Sequence, residues 1–158
     1  MKVLIIIPTY NEEKNIIKLI NHIKLKYKNY NVLVVDDSNN FSTQKLINKS
    51  NFENLKYFKR NIKLGRGNAV RFGFNYAMKN FYEYVIEMDG DFSHNPNEIK
   101  YLINKIINDK SDLVIGSRYL QESKILGWPL KRRAFSILAN LLARILFSYK
   151  ITDYTNGF

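Results

Sequence analysis

The sequence predicts an α/β fold, with a mostly parallel sheet flanked by helices. Three observations carry this expectation. Apolar, β-branched runs alternate with helical stretches along the chain. The first run, Val3-Leu4-Ile5-Ile6-Ile7, is continuous rather than alternating, as in a strand buried on both faces. Three strands also end in polar groups: Pro8-Thr9-Tyr10-Asn11-Glu12, Asp36-Asp37 and Asp89-Gly90-Asp91. Ligands of parallel sheets bind beyond the carboxyl ends of the strands, so these ends are expected to converge on one crevice.

After the first strand, Asn11 is expected to cap a helix with Glu12 and Glu13 in its first turn, favourable at the positive end of a helix. Ile16, Ile17, Leu19, Ile20 and Ile23 form its apolar face. Asn31 to Val35 reads as a second strand, leading into a polar loop and a short helix. Leu55 to Phe58 is a weaker third strand, Gly65 to Met78 a helix, and Tyr84 to Met88 a fourth strand. Pro96 to Ile107 is a helix with proline at its start. Leu113 to Ile115 reads as one more strand, and Leu130 to Tyr149 as a long helix rich in Leu and Ile. The whole is expected to be a single domain over residues 1–158, with no repeat or linker. Gly157 punctuates a turn into further structure, so the chain reads as cut short at its carboxyl end.

Composition narrows the partners. With 46% apolar and 25% charged residues the chain is globular. The absence of cysteine removes disulfides, cysteine-based zinc sites and thiol nucleophiles, and suits a reducing compartment. A net charge of +11 favours an acidic partner: nucleic acid, anionic lipid or a phosphorylated substrate. The opening apolar run is too short for the core of a secretory signal. No stretch reaches the roughly 20 apolar residues that span a bilayer.

Asp89-Gly90-Asp91 is the sharpest motif. Two carboxylates one residue apart on a turn can face one divalent ion, and Mg²⁺ or Mn²⁺ takes oxygen ligands from one or two carboxylates plus substrate phosphates. Such an ion would neutralise a diphosphate leaving group, and Gly90 would let the backbone approach the ligand. Read alone, the triplet is equally a turn. Asp36-Asp37 places like charges side by side, which is costly unless they are solvated or paired. Either could accept from a base N–H or a ribose hydroxyl, and alone the pair reads better as a cap or a solvated loop.

Gly65-Arg66-Gly67 precedes a helix, but Val70 stands where the dinucleotide fingerprint needs a third glycine, which excludes that reading. A close backbone approach to phosphate at the helix start stays open. Arg118, just after a strand, is expected to reach the crevice, and Lys131, Arg132 and Arg133 open the last helix, where cations oppose the helix dipole unless an anion lies nearby. A solvated charge run is the alternative. The last helix, interrupted by Asn140 and Arg144, is expected either to lie at a membrane interface or to be a core helix. His22 reads as structural, His94 as a phosphate contact or a loop-ordering group, Tyr10 as a platform for a base or ribose, and Trp128 as a loop anchor.

In order along the chain, Pro8-Thr9-Tyr10-Asn11-Glu12, Val35-Asp36-Asp37-Ser38, Leu64-Gly65-Arg66-Gly67, Met88 to Pro96, Gly116-Ser117-Arg118-Tyr119, Trp128 to Ser136 and Asp153 to Phe158 resemble the dolichyl-phosphate mannose synthase group of family-two glycosyltransferases. The resemblance covers nearly the whole chain and implies a GT-A-type nucleotide-sugar-binding fold. It implies that Pro8, Tyr10, Glu12, Val35, Asp36 and Asp37 hold the nucleoside. Asp89 and Asp91, around Gly90, would hold Mg²⁺ or Mn²⁺ on the diphosphate. Arg118, Arg132 and Ser136 would bind the acceptor phosphate. The implied reaction is inverting transfer of a sugar, with GDP-mannose the favoured donor, onto a polyprenyl or dolichyl phosphate. The phosphate itself attacks, so Asp91, Arg118, Arg132 and Ser136 would act by positioning and charge stabilisation. It also implies a cytoplasmic, peripheral place at the membrane surface. Gly90, often Ala in relatives, is a mild departure, and Asn39-Asn40-Phe41 replaces a Pro-Asp-Gly-like turn. Relatives continue past the Gly-Phe motif. That leaves three readings: a fragment, a chain that needs a partner such as a separate membrane subunit, or a binder without turnover.

A donor such as UDP-glucose and a non-catalytic nucleotide-sugar-binding fragment remain alternatives. A nucleic-acid-binding module is disfavoured, since three acidic strand ends would repel a phosphate backbone.

Overall fold

The computed structural model describes residues 1–50, 52–120, 123 and 128–158, which divide into two compact units, Met1–Ile103 and Asn104–Phe158.

The first unit is built on four parallel strands, β1 (Val3–Thr9), β2 (Asn31–Asp36), β3 (Leu55–Lys59) and β4 (Tyr84–Glu87), in the order β3-β2-β1-β4. The continuous apolar run of β1 takes the centre because both of its faces are covered, and all seven of its residues are buried. Leu4, Ile6, Leu33 and Val35 pack with Ala69 and Ala77 of helix α3 (Arg66–Lys79). The intervening residues Val3, Ile5, Ile7, Val32 and Val34 point to the opposite face and have no exposed surface. Helix α1 (Ile16–Lys26) contributes Ile16, Leu19, Ile20 and Ile23 to the core, as its periodicity predicts, while Ile17 is half-buried. Helix α2 (Ser42–Asn48) is short, and Pro96–Glu98 forms a 3₁₀ turn leading into α4 (Ile99–Asn108).

The strand order fixes where a ligand can sit. From β1 the chain moves outward through β2 to β3, then returns across the sheet to β4 on the other side of β1. The carboxyl ends of β1 and β4 therefore flank a topological switch point, where the two crossovers diverge and leave a crevice.

Two local expectations are corrected. Asn11 does not cap α1: it lies at φ 59, and the helix starts five residues later at Ile16. Glu12 O instead accepts from Asn15 N and Ile16 N, so residues 12–15 form a turn that carries the chain over the sheet edge first. Leu113 to Ile115 is not a strand, and the sheet of described residues ends at β4. Leu113 is exposed, and the neighbouring Gly116 N–H bonds to Phe158 O rather than to a strand. A short apolar run without a ladder partner does not become a strand on propensity alone.

The second unit contains α5 (Leu130–Leu146) and a carboxyl-terminal segment. Its helix faces are reversed from those of a core helix. Ser136 and Asn140 are buried, whereas Phe135, Ile137, Leu138, Leu141, Leu142, Ile145 and Leu146 are exposed. The core-helix expectation is thereby removed. No described helix is long and apolar enough to cross a membrane.

Gly73 shows how closely α3 lies on β1. A Cβ there would sit 2.6 Å from Ile6 Cγ2, inside a fully buried side chain. Gly73→Ala is expected to cost about 1–3 kcal/mol through overpacking, seen as a lower urea midpoint. An unchanged midpoint would contradict this close packing.

Candidate functional site

The crevice of the first unit encloses about 270 Å³ at the switch point. Its walls are Pro8, Thr9, Tyr10 and Glu12 from the end of β1, Asp37 after β2, Asp89, Gly90 and Asp91 after β4, and Lys63, Gly65, Arg66 and Ala69 from the segment entering α3. The three polar strand ends do converge. Of the residues expected to hold a nucleoside, Pro8, Tyr10, Glu12 and Asp37 line this space together with Asp89, Gly90 and Asp91. Val35 and Asp36 have no exposed surface and do not line it.

Asp36 is an internal anchor. It accepts from Thr9 Oγ1 at 3.2 Å, from Ser38 N at 3.0 Å and from Tyr57 OH at 2.7 Å, and Lys59 Nζ lies 3.7 Å away. Burial and the bond to Asp36 push the Tyr57 phenol upward, burial being the larger cause, so Tyr57 stays a donor. Ser38 Oγ donates to Asp36 and accepts from Asn11 N at 2.7 Å, which fixes the loop after β1. Asp37 is gripped by Arg60 through Nε and Nη2, both at 2.5 Å. Arg60 also reaches Asn68 Oδ1 and Gly65 O, tying the acidic pair to the start of α3. The acidic pair at the end of β2 is thus matched by Lys59-Arg60 at the end of the adjacent parallel strand. It was expected to need solvent or a ligand, and the protein itself supplies the partners.

The acidic turn after β4 is organised similarly. His94 is buried, its Nδ1 accepts from Asp89 N at 3.0 Å, and its Nε2 lies 3.8 Å from Asp89 Oδ2, so it orders the loop. Asp91 Oδ1 accepts from Ser93 N at 2.9 Å. Burial works to raise Asp91, but the bonds from Ser93 and the nearby His94 outweigh it, and the net direction is downward. Glu12 moves upward through burial, and Asp91, Glu13 and Asp89 add to this against a hydrogen bond from Asn15. The crevice therefore carries a negative field beside two carboxylates. Gly90 serves packing: a Cβ there would lie 3.3 Å from Thr9 Cγ2 and 3.5 Å from Glu12 Cγ. Gly65 adopts φ 83, a left-handed conformation that favours glycine, and a Cβ on Gly67 would meet nothing within 4 Å.

Oxygen donors in a negative field fit a divalent ion. Among the described residues, no three His, Cys, Asp or Glu side chains gather closely enough to hold one alone. An ion between Asp89 and Asp91 would therefore need further oxygen ligands, such as those of a phosphate. The face of Tyr10 is covered by Lys63 Nζ, 3.6 Å from the ring centroid.

The second unit brings Arg118, Arg132 and Ser136 into one neighbourhood. Asp153, with no exposed surface, receives Arg118 Nε at 2.8 Å and Nη2 at 2.9 Å, and Arg118 Nη2 also donates to Thr155 Oγ1 at 2.6 Å. Arg118 and Arg132 both lie against the ring of Trp128, 4.8 and 4.1 Å from its centroid. Ser136 Oγ accepts from Tyr119 OH at 2.7 Å and lies 3.1 Å from Thr155 Oγ1, and Asn140 donates to Thr155 Oγ1. The polar inward face of α5 is the wall of this network.

Sequence reasoning missed Lys59, Arg60, Arg66, Glu87 and Asp153. The juxtaposition of Asp36-Asp37 with Lys59-Arg60 at consecutive strand ends was the signal for the first two. Arg66 was read only as the residue between two glycines.

The sequence profile described as glycosyl transferase family 2 matches residues 4–158. The chain is 32% identical over 160 residues to a polyprenol monophosphomannose synthase of Mycolicibacterium smegmatis, covering 99% of this chain and 60% of that protein. It is 33% identical over 160 residues to an undecaprenyl-phosphate mannosyltransferase of Micrococcus luteus, covering all of this chain and 65% of the relative. It is 37% identical over 163 residues to a dolichol-phosphate mannosyltransferase of Pyrococcus furiosus, again covering the whole chain but 45% of the relative. This chain therefore spans between 45% and 65% of the length of these curated relatives.

Asp153 sets a pH dependence. Burial raises its carboxyl, but the bonds and charge of Arg118 outweigh burial and hold it below its ordinary value of 3.8. A depressed carboxylate contributes stability that is present above the unfolded value and is lost as pH falls through the folded one. Asp153→Asn is expected to destabilise by about 3 kcal/mol at pH 7, with the gap to the native chain closing below pH 3.8. Denaturant midpoints that match at neutral pH would refute the pairing.

Proposed function

The chain belongs to glycosyl transferase family 2, and from that premise we propose that it binds a nucleoside diphosphate sugar in the switch-point crevice and transfers the sugar to a polyprenyl phosphate. The observation that carries this reading is the convergence of Tyr10, Glu12 and Asp37 with Asp89 and Asp91 at one crevice. Asp37 and Tyr10 hold the nucleoside, and Tyr10 offers its ring to the base once Lys63 moves aside. Asp89 and Asp91 hold Mg²⁺ or Mn²⁺, whose charge offsets that of the departing diphosphate. The opening turn of α3, with Gly65 and Arg66 on the crevice wall, lies on the side that the diphosphate occupies.

Mannose is the favoured sugar, because the three relatives are named for mannose and lipid phosphates, and GDP-mannose is the donor that the family resemblance favours. The acceptor phosphate is already ionised and needs no strong base. Arg118, Arg132 and Ser136 orient it, with Asp153 and Trp128 fixing the two guanidinium groups. Direct attack by the acceptor inverts the anomeric carbon. The exposed apolar face of α5, with Lys131, Arg132 and Arg133 in its first turn, supports a peripheral place on an anionic membrane surface.

Calorimetric titration with GDP-mannose, GDP and UDP-glucose, each with and without Mn²⁺, tests the donor site. GDP-mannose and GDP are expected to bind in a metal-dependent way, and Asp91→Ala to weaken binding at least about tenfold, or about 1.4 kcal/mol. Binding of UDP-glucose alone would replace the donor, and binding of no nucleotide would sink the reading.

A further inference from the structure

Arg66 opens α3, a position where a cation opposes the helix dipole. It is held there by two carboxylates at the end of β4. Nη2 lies 2.7 Å from Glu87 Oε1, and Nε donates to Asp89 Oδ1 at 2.8 Å. A guanidinium that bridges two carboxylates beside Asp91 delivers positive charge where the proposed function puts a divalent ion. Arg66 already takes Asp89 Oδ1, so an ion bound by the same carboxylate would lie close to the guanidinium, and the like charges would repel.

We propose that Arg66 is the resident counter-cation of the acidic turn, and that a divalent ion gains Asp89 only by displacing it. This rests on the metal reading above and deepens it by naming the residue that sets metal affinity. The displaced guanidinium stays on the crevice wall, beside the diphosphate. A freed Arg66 would be available to a phosphate, so donor and metal would favour each other's binding. Until then Arg66 offsets part of the negative charge of the acidic turn, which would otherwise repel a diphosphate.

The test is Mn²⁺ binding itself, tracked through the paramagnetic resonance of free aqueous Mn²⁺, without nucleotide and then with GDP. The variants are Arg66→Gln, which removes the charge, and Arg66→Lys, which keeps charge but loses the fork. Both Arg66 and Asp89 are partly exposed, at 47% and 33%, which limits the effect. Arg66→Gln is expected to bind Mn²⁺ alone about three- to tenfold more tightly than the native chain, with Arg66→Lys between them. GDP is expected to raise Mn²⁺ affinity more in the native chain than in Arg66→Gln. If Arg66→Gln fails to fold, Arg66→Lys decides by the same comparison. Equal or weaker Mn²⁺ binding in the variants overturns this inference and leaves the metal site standing. Absence of Mn²⁺ binding in every form, with GDP present, removes the metal site and this inference together.

Discussion

A carboxylate with no exposed surface, that of Asp36, lies at the end of the second strand, and the crevice depends on its being satisfied. An unpaired charge in that place would cost several kcal/mol. Its partners come from two strands and a loop: Thr9 from β1, Tyr57 and Lys59 from β3, and Ser38 from the segment that also fixes Asn11. The parallel register makes this possible, since Thr9, Asp36 and Lys59 are direct neighbours across the sheet. The residues that follow β2 and β3 repeat the pairing, as Asp37 with Arg60. Six residues further on, Arg66 reaches the end of β4. The segment from Lys59 to Arg66 thus carries the countercharges for the acidic ends of β2 and β4. The acidity of the crevice is kept in a stable fold by cations on one neighbouring segment.

The second unit satisfies its charges differently. Asp153 satisfies Arg118 from within, and Thr155 joins Arg118, Ser136 and Asn140 into one hydrogen-bonded network. This network occupies the inward side of α5, which forces the leucine and isoleucine side chains outward. The polar residues that interrupt the apolar helix are therefore its buried face.

Much of this was legible in the sequence. The strand alternation, the burial of Val3 to Ile7 on both faces, a helix over residues 65–78 (found at Arg66–Lys79) and the convergence of strand ends follow from periodicity and from the rule for parallel sheets. Leu113 to Ile115 was misread because a strand needs a partner, and pairing is not a local property. Asn11 was misread because a good capping residue can also adopt positive φ, and here a bond to Ser38 favours the latter. Ionic partnership was the least legible level. Asp36 looked like a ligand contact because its acidity is visible in sequence, whereas its burial by Thr9, Tyr57 and Lys59 depends on register. Arg118 was read as aimed at a phosphate, and its buried partner Asp153 stands 35 residues away.

Amide hydrogen exchange, measured on the protein alone and with GDP and Mn²⁺, examines the crevice most directly. If the strand ends and the opening of α3 form one donor site, slowing concentrates in residues 8–12, 37–38, 63–69 and 88–94, and spares the first turns of α1 and α4. Protection that falls elsewhere, or that touches only one of these four segments, would mean that the carboxylates converge for stability alone and not to hold a nucleotide.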